Sequence, residues 1–539
     1  EFEIERYLVG QSKTGDRDHD PNTMLWISRA IDSFSLEAPV ADGSEPSLAA
    51  GLARVMQPAL VVGVQRDMLF PVWQQKEIAQ ALREAGNSSV TYFELDSVYG
   101  HAAFLHDWRD IGAAVKGHLS LSSSAPAAPR PRPCASEGCA APKSASGPSS
   151  QARTGSTSSA SAPSRCHVFY HRDPFRLSDG AELPELQIAY ETWGELNERR
   201  DNAVLLHGCS PVSSHARSHA GNRARGWWED FIGPGRPLDT SRFYVVCSNH
   251  LGGCHGSTGP SSVDPRDGRR YGSRFPRFQV RDMVAVQFAL LDHLGIPWLH
   301  ACVGASLGGM QSLCAAAFWP ERVGRVVSIS GCARSFAGSI ALRHTERQAI
   351  MADPDWRSGD HYDGRPPTTG FHLARQIGTI TYRSGHEWQQ RFGQRRIKAA
   401  PFSALRDEFE IERYLVGQSK TGDRDHDPNT MLWISRAIDS FSLEAPVADG
   451  SEPSLAAGLA RVMQPALVVG VQRDMLFPVW QQKEIAQALR EAGNSSVTYF
   501  ELDSVYGHAA FLHDSAALGP LVKGHLEQNL VQSSHARKK

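Results

Sequence analysis

The chain has 539 residues, of which 41% are hydrophobic and 21% charged, and its formal net charge is −2. This composition is that of an ordinary soluble globular protein, and the length allows roughly two to four domains. A charge so close to zero provides no field that attracts nucleic acid or an anionic membrane surface. No run of about eighteen apolar residues, which a membrane span would need, is present.

The first feature along the chain is an internal repeat. Residues 1–107 recur without a change at 408–514, and the two copies diverge at Trp108 and Ser515. Solenoid repeats are shorter and more diverged, so the pattern does not indicate a repeat architecture. A recent tandem duplication and an error in the gene model both explain such identity. We expect residues 1–119 to be an orphan copy of the C-terminal part of a larger domain.

A segment of low complexity follows the first copy. Residues 120–165 are rich in Ser, Ala, Pro and Gly and contain a single acid, Glu137. Such a composition cannot bury enough apolar surface to order itself, which predicts a disordered linker. Its arginine- and serine-rich character also resembles a transit peptide inside a fused chain. A mitochondrial location is therefore the alternative to a cytoplasmic one. The chain begins at Glu1 without a methionine or a signal peptide, which indicates a fragment or a processed product.

The cysteines favour a reducing compartment. All nine lie between Cys134 and Cys332, and several, such as Cys247 and Cys302, fall within apolar runs that read as strands. Buried free thiols are typical of such a compartment. Cys134 and Cys139 have no matching second pair, so we predict no metal site.

From Cys166 the chain alternates strands with helices. The predicted strands are 166–171, 185–194, 203–208, 243–249, 299–304, 324–330, 466–472 and 497–503, and the predicted helices are 282–294, 308–319, 480–492 and 515–526. Apolar strands that alternate with helices predict a mostly parallel sheet covered on both faces. Residues 335–460 break this rhythm with charged helical segments, as a lid insertion would. The pattern predicts an α/β-hydrolase fold for residues 166–526, followed by a tail at 527–539.

The stretch LHACVGASLGGMQ, residues 299–311, predicts a nucleophile. A strand runs into Gly-Ala-Ser-Leu-Gly, and a helical pattern begins past Gly309. G-x-S-x-G in a strand–turn–helix context is typical of a nucleophile elbow, because glycines two residues either side of the serine let strand and helix approach closely. Ser306 is therefore the candidate nucleophile. A small-residue turn without a catalytic role is the alternative.

Two later strands end at the partners that such a serine needs. In this fold the acid and then the histidine follow the serine in the chain. Asp474 comes directly after the strand 466–472, and His508 lies in the loop after the strand 497–503. His508 would remove the proton from Ser306, and Asp474 would hold the imidazole tautomer.

The oxyanion of an acyl-transfer intermediate needs backbone donors. One is the N–H of Leu307, directly after the nucleophile. The second is expected from the loop after the strand 203–208, near Cys209 or Ser210, because Pro211 has no N–H.

Several long motifs resemble one family. They are GWWEDFIGPGRPLDTSRFYVVCSNHLGG (226–253), GSTGPSSVDPRDGRRYG (256–272), GASLGGMQ (304–311), RDMLFPVWQQKE (473–484) and YGHAAFL (506–512). With these motifs the chain resembles the homoserine/serine O-acetyltransferase family of α/β-hydrolases over about 166–526. The resemblance implies ping-pong transfer of an acetyl group from acetyl-CoA, a co-substrate rather than a bound cofactor, to L-homoserine or L-serine in methionine or cysteine biosynthesis. It also implies that Arg375 contacts the substrate, through the acceptor carboxylate.

The sequence differs from the family pattern at one position beside the catalytic histidine, and it leaves two other functions open. The family usually has aspartate after the catalytic histidine, where it pairs with the acceptor ammonium, and here that position is Ala509. An esterase or thioesterase would use the same three residues on water. A catalytically impaired fragment fusion is the other alternative. The motifs leave open acetyl against succinyl as the donor group and serine against homoserine as the acceptor. The expected partners are small molecules, without nucleic acid or membrane, and a homodimer is compatible with the sequence.

Overall fold

The computed structural model describes most of the chain. The described residues are 3–6, 21–32, 34–40, 45–122, 167–210, 213–397, 409–421, 426–447 and 450–528. The chain divides into two compact units, one of residues 20–160 and one of residues 1–19 together with 161–539. The predicted linker at 120–165 lies outside the described residues from 123 onward, and the predicted tail from 529 onward. Within the described ranges, no helix combines the length and the apolar character that crossing a membrane would take.

The smaller unit is built around two parallel strands. They are β1 (Ala59–Val64) and β2 (Val90–Leu95), with helices α1 (Pro21–Asp32), α2 (Leu48–Leu52), α3 (Val72–Glu84), α4 (Ala103–His106) and α5 (Trp108–Ser122). Its described core is a small cluster around Leu52, Ala81 and Leu82. Two strands bury little apolar surface, and many large apolar side chains of this unit are correspondingly exposed.

An eight-stranded sheet forms the centre of the larger unit. Its strands are β3 (His167–His171), β6 (Leu186–Trp193), β7 (Ala203–His207), β8 (Tyr244–Ser248), β9 (Ala301–Ala305), β10 (Val326–Ile329), β11 (Ala466–Val471) and β12 (Val497–Leu502), while β4 (Phe175–Arg176) and β5 (Glu182–Leu183) pair separately. The order across the sheet is β12-β11-β10-β9-β7-β8-β6-β3. Only β6 runs against its neighbours, β3 and β8, and the other pairs are parallel.

Helices cover both faces of this sheet. They include α6 (Val280–His293), α7 (Leu307–Phe318), α14 (Val479–Glu491), α15 (Ala510–His513) and α16 (Ser515–Glu527). β7, β9 and β11 are runs of Ala, Val, Leu, Gly, Cys and His that are buried at every position, as expected for parallel strands covered on two sides. The predicted mostly parallel sheet is therefore confirmed.

A helical insertion separates β10 from β11. It contains α8 (Ala337–Met351), α9 (Thr368–Thr381), α10 (Gly385–Arg391), α11 (Glu410–Ser419), α12 (Pro428–Asp439) and α13 (Leu455–Gly458). The charge pattern predicted a lid in this part of the chain, between residues 335 and 460. Because the insertion starts beyond the carboxyl end of β10, its helices α8, α9 and α12 can contribute side chains to a cavity at that edge of the sheet.

The first residues of the chain belong to this larger unit. Residues 3–6 form one helical turn, and Glu5 is only 1% exposed. Its carboxylate accepts hydrogen bonds from Arg436 and from Arg347, the latter at 2.7 Å. Burial opposes ionisation of Glu5, but Arg436 and Arg347 outweigh it and hold the pKa of Glu5 below its ordinary value. The identical residue of the second copy, Glu412, instead accepts the backbone N–H of Phe409 at 2.7 Å.

Candidate active site

Ser306 occupies a strained turn between β9 and α7. Its φ of 57° and ψ of −123° are unusual for a residue with a side chain. A Cβ on Gly304 would lie 2.2 Å from the carbonyl oxygen of Gly308, and one on Gly308 would lie 2.3 Å from that of His207. Both positions therefore require glycine, because the helix N-terminus packs directly against the strands. This is the local geometry that the sequence predicted for a nucleophile elbow.

His508 lies in the short turn Gly507–Ala509 after β12 and contacts the other two predicted residues. Its Nε2 is 2.8 Å from Ser306 Oγ, and its Nδ1 is 2.7 Å from Asp474 Oδ2. The imidazole stacks on Phe477 at 5.1 Å between ring centroids and meets the edge of Phe511 at 5.8 Å. These two ring contacts hold the imidazole in the orientation that places each nitrogen on its partner.

Asp474 is itself fixed by the backbone that follows it. Its Oδ1 accepts the N–H groups of Leu476 and Phe477 at 2.9 and 2.8 Å, which leaves Oδ2 for His508. The carboxylate, the imidazole and the hydroxyl are all buried. In this arrangement Nδ1–H donates to Asp474 and Nε2 accepts the Ser306 proton, which is what general-base activation of a serine requires.

The two positions predicted to stabilise an oxyanion flank the serine. Leu307 is the first residue of α7, so its N–H has no partner within the helix. Ser210 follows β7 and lines the same cavity as Ser306, next to Cys209. Burial raises the pKa of the Cys209 thiol to about 12, so this group is neutral and no competing nucleophile at neutral pH. Pro211 and Val212 lie outside the described residues.

Two residues that the sequence did not single out anchor this loop. His250 Nε2 donates to the carbonyl oxygen of Cys209 at 3.2 Å, and Gln311 Nε2 lies 3.4 Å from His250 Nδ1. Gln311 is one turn into α7, so the chain of contacts links the helix behind the nucleophile to the loop after β7. Burial lowers the pKa of His250, consistent with a neutral ring that donates on one side and accepts on the other.

A cavity of about 340 Å³ opens onto Ser306 and His508. Arg375, on α9, is one of its lining residues, and its guanidinium carbon lies 5.5 Å from the centre of the Phe371 ring. The structure thus brings the predicted substrate-contacting arginine into the cavity of the predicted nucleophile. Ala509 also lines this cavity and offers only a methyl group.

The cavity contains further charged groups that sequence patterns did not identify as site residues. Arg343 and Glu346, one turn apart on α8, both line it. Arg343 Nε donates to Asp439 in a buried ion pair. Burial raises the pKa of Glu346 to about 7, against the opposing effect of Arg343 and Arg347. The spacing of these charges on one helix was visible in the sequence, but nothing local indicated which of them faces the site.

One cluster among the described residues has the composition of a metal site. It consists of Glu191, His215 and His219. Both imidazoles contact Glu191 Oε2, at 2.8 and 2.9 Å. His215 Nε2 also donates to the carbonyl oxygen of Ala224, and its bond to Glu191 raises the pKa of His215. His219 Nδ1 accepts a hydrogen bond from the N–H of Gly221. The proton of the ring is therefore on Nε2, which donates a hydrogen bond to Glu191. These donors and acceptors satisfy one another as an ion-paired network that ties the 213–222 loop to β6.

Known proteins resemble the chain at the levels of family, sequence and structure. Residues 203–515 match a family model described as the alpha/beta hydrolase fold. A serine O-succinyltransferase from Emericella nidulans is 46% identical over 420 residues, covering 67% of this chain and 81% of that protein. A homoserine O-acetyltransferase from Carboxydothermus hydrogenoformans is 42% identical, covering 65% of this chain and 92% of that protein. The crystal structure of esterase E22 superposes with a TM-score of 0.62 and 28% identity, covering 67% of this chain and 100% of that chain.

Proposed function

Because the chain belongs to the homoserine/serine O-acyltransferase family of α/β-hydrolases, we propose that it transfers a succinyl group from succinyl-CoA to the hydroxyl of L-serine. The observation that carries the transfer chemistry is the hydrogen-bonded series Ser306–His508–Asp474 beside a cavity with two arginines. Succinyl as the donor group and serine as the acceptor are supported by the relative that is 46% identical. The motifs alone implied acetyl-CoA as the donor. Acetyl transfer to L-homoserine, the activity named for the relative that is 42% identical, is the alternative that an experiment must distinguish from succinyl transfer to L-serine.

In the first half-reaction Ser306 takes the acyl group. His508 Nε2 removes the hydroxyl proton as Ser306 Oγ attacks the thioester carbonyl, and Asp474 stabilises the imidazolium that forms. The backbone N–H groups of Leu307 and Ser210 donate hydrogen bonds to the developing oxyanion. The tetrahedral intermediate then collapses, the carbon–sulfur bond breaks, and His508 returns the proton to the CoA thiolate. The products are free CoA and acyl-Ser306.

The second half-reaction runs the same steps with the amino acid in place of the thiol. His508 removes the proton from the acceptor hydroxyl, which attacks the acyl-Ser306 ester. Collapse of the second intermediate releases the O-acyl amino acid and returns the proton to Ser306. Arg375 holds the acceptor carboxylate, because a guanidinium matches a carboxylate with two parallel hydrogen bonds.

The proposal assigns the activity to one part of the chain. Residues 166–526 form the acyltransferase domain, with the lid at about 335–460. Residues 1–119 are a duplicated C-terminal part of such a domain, 120–165 a linker and 527–539 a tail. One active site per chain follows, because the first copy has no counterpart of the stretch 299–311.

A CoA-release assay with two donors and two acceptors tests the proposal. Succinyl-CoA should give a burst of free CoA equal to the enzyme concentration, and sustained release only when L-serine is added. Acetyl-CoA or L-homoserine should be used less well. Ser306→Ala should remove both the burst and the turnover and keep the melting temperature, since among the described residues its hydroxyl hydrogen-bonds to His508 alone. Turnover in that variant, or no acylation by either donor, would exclude the proposal.

Hydrolysis of esters is the second candidate, favoured by the similarity to esterase E22. The same three residues would then pass the acyl group to water, and the outcome depends on how well the lid excludes water. Succinate or acetate release that is rapid without an amino acid, and that L-serine does not divert into O-acylserine, would establish the hydrolase.

A further inference from the structure

Glu346 is a buried acid whose carboxylate is not used by the fold. It lies on α8, is 5% exposed and lines the cavity that contains Ser306 and His508. Among the described residues, its carboxylate forms no hydrogen bond and no ion pair, and the electrostatic influences on it are burial and the charges of Arg343, Arg347 and Asp439. Leaving a buried carboxylate without a partner is costly. An acid in such a position requires a physical reason.

The charged groups around Glu346 are engaged elsewhere. Arg343 and Arg347, on the same helix, both pair with Asp439 of α12, and Arg347 also pairs with Glu5. Arg375 of α9 and Tyr382, which directly follows α9, line the same cavity, and burial raises the pKa of Tyr382, so it stays neutral. Glu346 therefore has positive charge nearby but no direct partner, and burial raises its own pKa to about 7. A cation that enters the cavity would stabilise the ionised form.

The only other acid that lines the described cavity is committed to the fold. Asp427 caps α12 by accepting the N–H of Thr430 at 3.1 Å, and it also accepts the hydroxyl of Tyr362 at 3.0 Å. Ala509, next to His508, has no charge to offer. Glu346 is thus the one acid of the described cavity that remains available to a cationic ligand.

An amino-acid acceptor brings such a cation. It carries a carboxylate, which suits Arg375, a hydroxyl, which must reach acyl-Ser306, and an ammonium group, which needs an anion. We propose that Glu346 binds the ammonium group of the acceptor and thereby makes the site select amino acids over other hydroxy acids. This assignment rests on the proposed function, because it takes the acceptor to be an amino acid.

The test compares L-serine with 3-hydroxypropanoate, which is serine without its amino group. Binding of both is measured by calorimetry on the Ser306→Ala chain, and acceptor KM values are measured on the active chain. With Glu346 present, serine should bind about 10- to 100-fold more tightly than 3-hydroxypropanoate. In Glu346→Gln this preference should disappear. The KM for L-serine should rise, and the amplitude of the CoA burst should stay unchanged. Glu346→Asp should recover part of it.

The preference is a ratio within one variant, so the fraction of folded protein does not affect it. Glu321→Gln is the matched control, because Glu321 is an exposed acid outside the cavity, and it should keep the preference. An unchanged preference in Glu346→Gln, or no preference in the parent chain, would overturn the assignment. If the parent chain binds serine through Glu346 but transfers no acyl group, the proposed function fails and the ammonium site remains.

Discussion

The two copies of one sequence, residues 21–107 and 428–514, occupy different surroundings and so separate local from long-range effects. In both copies the two strands pair in the same parallel register, Ala59 with Val90 and Ala466 with Val497. In the second copy Phe511 is 4% exposed, whereas its twin Phe104 is 59% exposed. The strand pair is therefore encoded within the copy, and burial comes from the residues that precede the second copy.

The acid–histidine pair behaves like the strand pair. His101 Nδ1 lies 2.8 Å from Asp67 Oδ2, and His508 Nδ1 lies 2.7 Å from Asp474 Oδ2. The His101 side chain is 42% exposed and that of His508 is 5% exposed. Two strands and their following turns suffice to form the pair. The nucleophile and the dry environment require the rest of the larger unit.

The largest expected effect is the fall in the rate of acyl transfer when the histidine of one copy is replaced. His508→Ala should lower acyl transfer by about 10⁴-fold or more, because Ser306 loses its general base. The twin substitution His101→Ala should leave transfer unchanged. CoA-release rates on both variants measure the difference. Substantial activity in His508→Ala, removed by adding His101→Ala, would mean that the first copy can replace the second.

A smaller effect is expected at the residue after each histidine. Ala509→Asp adds an acid beside His508 and should lower the acceptor KM by about tenfold when Glu346→Gln has removed the proposed ammonium partner. In the parent chain the gain should be slight, since Glu346 already supplies the charge. Ala102→Asp is the matched control and should have no effect. A large gain in the parent chain would show that Glu346 does not bind the ammonium group.

A third pair of twins tests stability. Glu5→Gln should lower the free energy of unfolding of the larger unit by about 1–3 kcal/mol, because Arg347 loses one of two buried carboxylate partners. The pKa of Glu5 is lowered in the fold, so this difference should be present above the ordinary pKa of a glutamate and vanish as the pH falls through the lowered value.

Denaturant unfolding at pH 7 and at pH 3 measures this difference in the free energy of unfolding between the parent chain and Glu5→Gln. Glu412→Gln, which weakens the helix cap at Phe409, should cost about 1 kcal/mol. Equal losses in the two variants would mean that Glu5 contributes no more to stability than a half-buried helix-capping acid.

The smallest expected effect is that of cutting the chain between the copies. Limited proteolysis should cleave within residues 120–165, where the composition predicts a linker, and acyl transfer by the C-terminal product should be unchanged. Intact mass and CoA release report the two results. Loss of activity on cleavage would mean that acyl transfer depends on the first copy, beyond the stability that the buried contacts of Glu5 supply.

The sequence by itself determined the features that depend on neighbours along the chain. The periodicity of apolar residues predicted the eight strands of the large sheet, because strand and helix spacing are local properties. The glycines around Ser306 predicted the strained turn. The predicted strands placed Ser306, Asp474 and His508 at strand ends, in the chain order that the fold requires. Their catalytic role remains a proposal, although the three side chains lie within hydrogen-bonding distance.

Only the tertiary structure decided which distant groups share a cavity. Ser306 and His508 are 202 positions apart, and their contact depends on β9 and β12 lying in one sheet with β10 and β11 between them. Glu346 resembles any other helical acid in the sequence. Its significance arises because α8 places it in the cavity that Ser306 lines, while the neighbouring arginines pair with Asp439. Identical segments also differ in burial, because burial depends on the surface that the rest of the fold presents and not on the segment itself.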